Sequence, residues 1–86
     1  MSWSKSEKMV RAYKALVLGM PKVDVIGKLG KPDSQRLVNG VETLGWSSSE
    51  FRGLLRGGTI ERKMYCEFAN DILVGFDGSN MSHSRA

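Results

Sequence analysis

The sequence predicts an α+β domain in which a two-helix hairpin packs on one face of a three- to four-stranded antiparallel sheet, in the order ααββββ. Three observations carry this. Residues 4 to 18 hold an amphipathic helical pattern, residues 19 to 32 (Gly-Met-Pro-Lys-Val-Asp-Val-Ile-Gly-Lys-Leu-Gly-Lys-Pro) spell a short helix with a stop at each end, and from residue 35 the period changes from helical to alternating. Helices segregated to one face of an antiparallel sheet are the α+β solution to burying both apolar surfaces.

Ser4 with Glu7 three positions on has the form of a capping box, so the first helix is expected over about 4–18. Met9, Val10, Tyr13, Leu16, Val17 and Met20 make its apolar face, and Lys8, Arg11 and Lys14 lie opposite. Gly19 can take the left-handed conformation that closes a helix, and Pro21 fits the first turn of the next. That second helix, about 21–29, sets Val25, Ile26 and Leu29 on one face, and Gly30 and Pro32 forbid its continuation. A helix this short is unstable alone and must be clamped between larger elements.

Strands are expected at about 35–38 and 41–47, joined by Asn39-Gly40, the preferred pair for a type I′ hairpin turn. Residues 48–58 follow no period and end in a glycine pair, which reads as a long loop. Thr59 to Phe68 is the clearest strand, with Ile60, Met64, Cys66 and Phe68 inward and Arg62 interrupting that face as if near a rim. A turn at Ala69-Asn70-Asp71 leads to a last strand, about 72–77, with Ile72, Val74 and Phe76 sharing a face. The domain therefore spans 1–77, and the small, polar stretch 78–86 is expected to be a frayed tail.

Eighty-six residues make one domain near the lower limit for folding without metals or disulfides, and the single Cys66 allows no internal disulfide. The formal charge of +4 is uneven: seven basic residues against two acidic ones precede Pro32, and six against seven follow it. Lys5, Lys8, Arg11 and Lys14 are thus candidates to contact an anionic surface such as nucleic acid or lipid, or are simply a solvated helix face. Interleaved aromatic residues, which single-strand binders use, are missing from that face because Tyr13 falls on the apolar side.

Catalytic signatures are largely absent. His83 stands between Ser82 and Ser84 in the tail with nothing to orient it, and Cys66 falls on the inward face of a strand. One cysteine and one histidine cannot make a zinc site, and no phosphate-binding glycine loop is present, so no cofactor or metal is expected. Binding surfaces are the better candidates. Phe51, Leu54 and Leu55 stand among Arg52 and Arg56, the residue types that concentrate interface energy. They either anchor a partner or fold back as core cover, and Trp46 presents the same two readings. An unsheltered outer strand would also allow a homodimer.

Gly19-Met20, a helix containing Val25, and Leu29-Gly30-Lys31-Pro32 are similar to the signature of the SmpA/OmlA (BamE-like) family. Trp46, Tyr65-Cys66-Glu67-Phe68, Asn70-Asp71 and Leu73-Val74 fall where that pattern continues, so the resemblance covers about residues 16–77. It implies the two-helix, antiparallel-sheet fold shared with β-lactamase inhibitor proteins and a non-enzymatic role. It also implies assistance to β-barrel assembly at the inner face of the outer membrane, through protein subunits and anionic lipid, while other proteins of this fold inhibit enzymes. The chain departs from the pattern in two places: it has no lipid-attachment cysteine near its start, and Pro21 replaces a hydroxyl cap. With no apolar leader or membrane-spanning stretch the chain as written is expected to be cytoplasmic, or to belong to the periplasm and outer membrane if a leader has been removed.

Overall fold

The computed structural model describes residues 5–51, 53–56 and 58–81. Helices α1 (Lys5–Lys14) and α2 (Lys22–Leu29) are followed by β1 (Ser34–Val38), β2 (Val41–Phe51), a 3-10 turn (Leu54–Arg56), β3 (Thr59–Ala69) and β4 (Ile72–Ser79). Among the described residues four strands form one antiparallel sheet in the order β1-β2-β3-β4, with α1 packed across β2 and β3. This is the α+β arrangement expected.

Alternation builds the core. In β2 and β3 the inward residues Leu44, Trp46, Met64, Cys66 and Phe68 meet Met9, Val10, Ala12 and Leu16 from the first helix and its exit, and Val25 and Leu29 from α2. Two tight turns fix the register. Asn39 and Gly40 both have positive φ, 51° and 80°, and so do Asn70 and Asp71, 54° and 62°, the geometry of a type I′ turn. The short α2 is clamped as its length requires. Pro21 is its N-cap, the Gly30 N–H closes it onto the Ile26 carbonyl at 2.7 Å, and Trp46 Nε1 donates to the Gly30 carbonyl at 3.0 Å.

Five expectations are corrected. The first helix ends at Lys14, not near 18, through i→i−3 bonds from Ala15 to Ala12 and from Leu16 to Tyr13. The chain beyond it is claimed by the sheet. Gly19 N–H donates to Leu73 O, Leu73 N–H to Met20 O and Lys22 N–H to Asp71 O, each at 2.8 Å, so residues 19–22 run along the start of β4. Gly19, at φ 95°, is the pivot of this detour rather than a helix cap, and Val17 is left exposed. The Ser4 half of the capping box lies outside the described residues.

Second, residues 48–51 are strand, not loop: Ser48↔Arg62 through Phe51↔Thr59 continue the β2–β3 ladder without interruption. The serine run hid this, since it shows no hydrophobic alternation. Third, β4 contains a register shift. Phe68 pairs with Leu73 but Glu67 with Gly75, so Val74 is the extra residue of a bulge. Leu73 is therefore buried, Ile72 and Val74 are exposed, and only Phe76 of the expected trio turns inward, where its ring meets Tyr13 edge-on at 5.5 Å.

Fourth, the supposed tail begins as structure. Gly78 and Ser79 belong to β4 and Met81 is buried, while 82–86, with His83, lie outside the described residues. Fifth, Arg62 is buried rather than at a rim, and its guanidinium bonds to Ser6, Glu50 and Asn80.

Candidate partner-binding surface

β2 and β3 are each eleven residues long, in a molecule 45 Å long and 25 by 19 Å across. The helices cover this hairpin only in part. In β2 the continuous buried run ends at Trp46, and by Phe51 the strand is bare. The far end is thus an arm that must be stiffened from its base.

That base is the Arg62 cluster. Arg62 Nε donates to Asn80 O at 2.9 Å, and Nη1 donates to Glu50 Oε1 at 2.5 Å and to Ser6 Oγ. Ser6 Oγ in turn donates to Glu50 Oε1 at 3.2 Å, and Asn80 Nδ2 donates to Glu61 O at 2.6 Å. Three elements (α1, β2 and β3) and Asn80 after β4 therefore share one ion pair, buried at Arg62 and about one-third exposed at Glu50. Such a pair specifies geometry more than it stabilises, because desolvating the ions offsets much of their attraction. Sequence reading missed the cluster. Its signal was the charge of Arg62 on an inward strand position, which demands a buried partner.

A second tie holds the opposite side of the same base. Asp33 Oδ2 accepts from the Ser47 N–H at 2.9 Å and pairs with Lys5 Nζ at 3.0 Å. The Ser47 amide first and Lys5 second hold the Asp33 carboxyl below the usual carboxylate range. Glu42 is likewise lowered, chiefly by Lys22 at 2.6 Å and also by Gln35.

The candidate site residues fall into three groups. Phe51, Leu54 and Leu55 are together at the end of the arm, with exposures of 68%, 87% and 102%, so the core-cover reading of this segment fails for them. Arg52 and the side chain of Arg56 lie outside the described residues. Trp46 is a correction. At 1% exposure, with its indole N–H bonded to the end of α2, it is core and offers a partner nothing.

The basic group is divided. Lys5 is committed to Asp33, whereas Lys8 and Arg11 line a shallow depression of about 230 Å³ with Lys28 of α2, over Ala12 and Ala15. Lys28 was not singled out in the sequence, since only the packing of α2 on α1 brings it there. Lys14 is exposed but outside that lining.

Nothing nucleophilic is offered at the surface by Cys66, which is fully buried and whose thiol burial pushes up to about 11. Among the described residues no three His, Cys, Asp or Glu side chains group as a metal site, and no helix is long and apolar enough to cross a membrane. No protein-family model, curated protein or solved structure matches the chain.

Proposed function

We propose that this chain is a non-enzymatic protein-interaction module that docks through the end of its β2–β3 arm. The observation that carries the reading is the exposure of Phe51, Leu54 and Leu55 together, at the end of an arm whose base is tied by Arg62, Glu50 and Asp33. Large apolar side chains concentrated in one patch mark interaction sites, and a preset hairpin loses little freedom on binding. Arg52 and Arg56, adjacent in sequence, would favour a partner with an apolar pocket rimmed by acidic groups. The resemblance to the SmpA/OmlA family supports the same class of function, with assembly of outer-membrane proteins as its specific form and inhibition of an enzyme as the variant.

The test is affinity capture by the wild-type chain and by Phe51→Ser/Leu54→Ser/Leu55→Ser, from soluble and envelope fractions kept apart. Partners lost with the triple variant, at unchanged thermal stability, support the arm. Partners retained by it refute the arm as the site. Outer-membrane assembly proteins in the envelope fraction would carry the more specific role.

A second reading is favoured by one observation. The depression between the helices is lined by Lys8, Arg11 and Lys28 and by no carboxylate. It would contact phosphate groups of nucleic acid, with an affinity that falls steeply with added salt. A salt-independent interaction would dismiss it.

A further inference from the structure

The two edges of the sheet are treated differently. β4 is partly covered, because residues 19–22 hydrogen-bond to its first residues, and the Val74 bulge breaks the ladder beyond them. Both devices protect an edge against further pairing. β1 has neither. It pairs with β2 in unbroken register from Ser34↔Gly45 to Val38↔Val41, and all five of its residues are exposed. Nothing among the described residues pairs with its outer side.

Beside that edge the helix layer stops short and leaves a depression of about 360 Å³ between α2 and β1, within the size range of ligand pockets. Ile26, Pro32 and Leu44 give it an apolar lining, which Lys31 and the Lys5-paired Asp33 share. Leu37, on the same face as Gln35, extends the apolar surface at 71% exposure. On the other face of β1 stands Arg36. Neither Lys31 nor Arg36 has a carboxylate partner among the described residues, whereas Lys22 is occupied by Glu42.

We propose that an extended segment of a partner protein, with apolar and acidic residues in alternation, adds to this sheet as a fifth strand alongside β1. Its backbone satisfies the open edge. Its residues on the helix side enter the depression over Ile26 and Leu44, and its residues on the other side set carboxylates against Arg36. Arg36 also disfavours a second copy as occupant, because antiparallel self-pairing centred on β1 would set it opposite itself. The surface is separate from the arm, and the inference does not rest on the reading above.

The experiment pans a random twelve-residue peptide library on the intact chain, then titrates the strongest synthetic peptide into labelled protein. Enriched sequences should alternate apolar residues with Asp or Glu. On binding, backbone amides of residues 34–38 should exchange more slowly with solvent. Lys31→Glu/Arg36→Glu should weaken binding about tenfold or more, and Phe51→Ser/Leu54→Ser/Leu55→Ser should bind as wild type. The proposal is overturned if no such pattern is enriched, if the β1 amides do not change, or if affinity survives the charge reversal. It is also overturned if only the arm variant loses binding, which leaves the arm reading standing, or if sedimentation shows β1 already occupied by a second copy. The exchange measurement uses the wild-type chain, so it decides even if the charge-reversed variant is unstable.

Discussion

One pair of strands serves opposite purposes at its two ends. Near the helices, β2 and β3 supply Leu44, Trp46, Met64, Cys66 and Phe68 to a closed core. Toward the other end the same ladder continues to Phe51↔Thr59, where Phe51 stands in water with Leu54 and Leu55 of the turn that follows. The core is built at the first end, and Phe51, Leu54 and Leu55 at the second are not part of it. Residues that the fold does not need and that water disfavours require another reason, and binding supplies one. Between the ends sits the Arg62 cluster, which belongs to neither: it is polar, its guanidinium is buried while Glu50 is part-exposed, and it joins α1 to both strands.

The comparison is sharpened most by Trp46→Ala. Losing the largest fully buried side chain and its bond to Gly30 should cost about 3–5 kcal/mol, enough to unfold a chain of this size, as a denaturant titration would show. Glu50→Ala comes next. It strands a buried guanidinium, and because Glu50 is itself one-third exposed the loss should be near the lower end of about 3–5 kcal/mol. Glu50→Ala should also speed amide exchange in residues 48–51 and 59–62 more than around Phe68, which distinguishes a loosened arm from a weakened core. If exchange rises uniformly, the arm and the core are one cooperative unit and the division fails.

Gly78→Ala probes how tightly the core end is closed. A Cβ there would fall 2.7 Å from Met81 Cγ and 3.1 Å from Tyr13 Cε1, with the Lys63 carbonyl at 3.3 Å. The crowding should cost about 1–3 kcal/mol, read as a lowered Tm. An unchanged Tm would mean that Met81 and Tyr13 do not close over β4.

Acid should act at Asp33, which ties the base of the arm through Ser47, and at Glu42, which pairs with Lys22 near the turn end of β2. Asp33 and Glu42 are both lowered from their ordinary values of 3.8 and 4.5, so the folded state binds protons less readily than the unfolded chain. The stability they contribute is complete above about pH 5 and is lost as pH falls through and below their ordinary values. Tm should therefore be level from pH 7 to about 5.5 and decline below 4.5, and Asp33→Asn should flatten part of that decline. An identical acid profile in Asp33→Asn would remove Asp33 from the ties.

The core end was legible in the sequence and the arm was not, for a physical reason. Hydrophobic period reports burial, so Ile60 to Phe68 and Val25, Ile26 and Leu29 announced themselves, and Asn39-Gly40 fixed a turn through its own backbone preference. Ser47-Ser48-Ser49 is strand only because β3 lies beside it, which is a tertiary fact without a local signature. The bulge at Val74 shifts a period by one residue, so a regular alternation assigned Ile72 and Val74 to the wrong face. At the site, the composition of Phe51, Leu54 and Leu55 was visible but not their exposure, and Trp46 could be core or anchor until Gly30 was found to hold it.

The smallest expected effect is the most telling. Phe51→Ser/Leu54→Ser/Leu55→Ser removes three large apolar side chains from a chain with a small core. If they covered that core, each would cost on the order of 1.5–3 kcal/mol and the variant would not fold. Exposed as they are, their replacement should change stability by no more than about 0.5 kcal/mol each, and should improve solubility by removing an apolar patch. Equal denaturation midpoints for the variant and the wild type, beside loss of the captured partner, would separate folding from binding within a single hairpin. A large destabilisation would instead show that the end of the arm folds back onto the body in solution, and the contrast between the two ends would disappear.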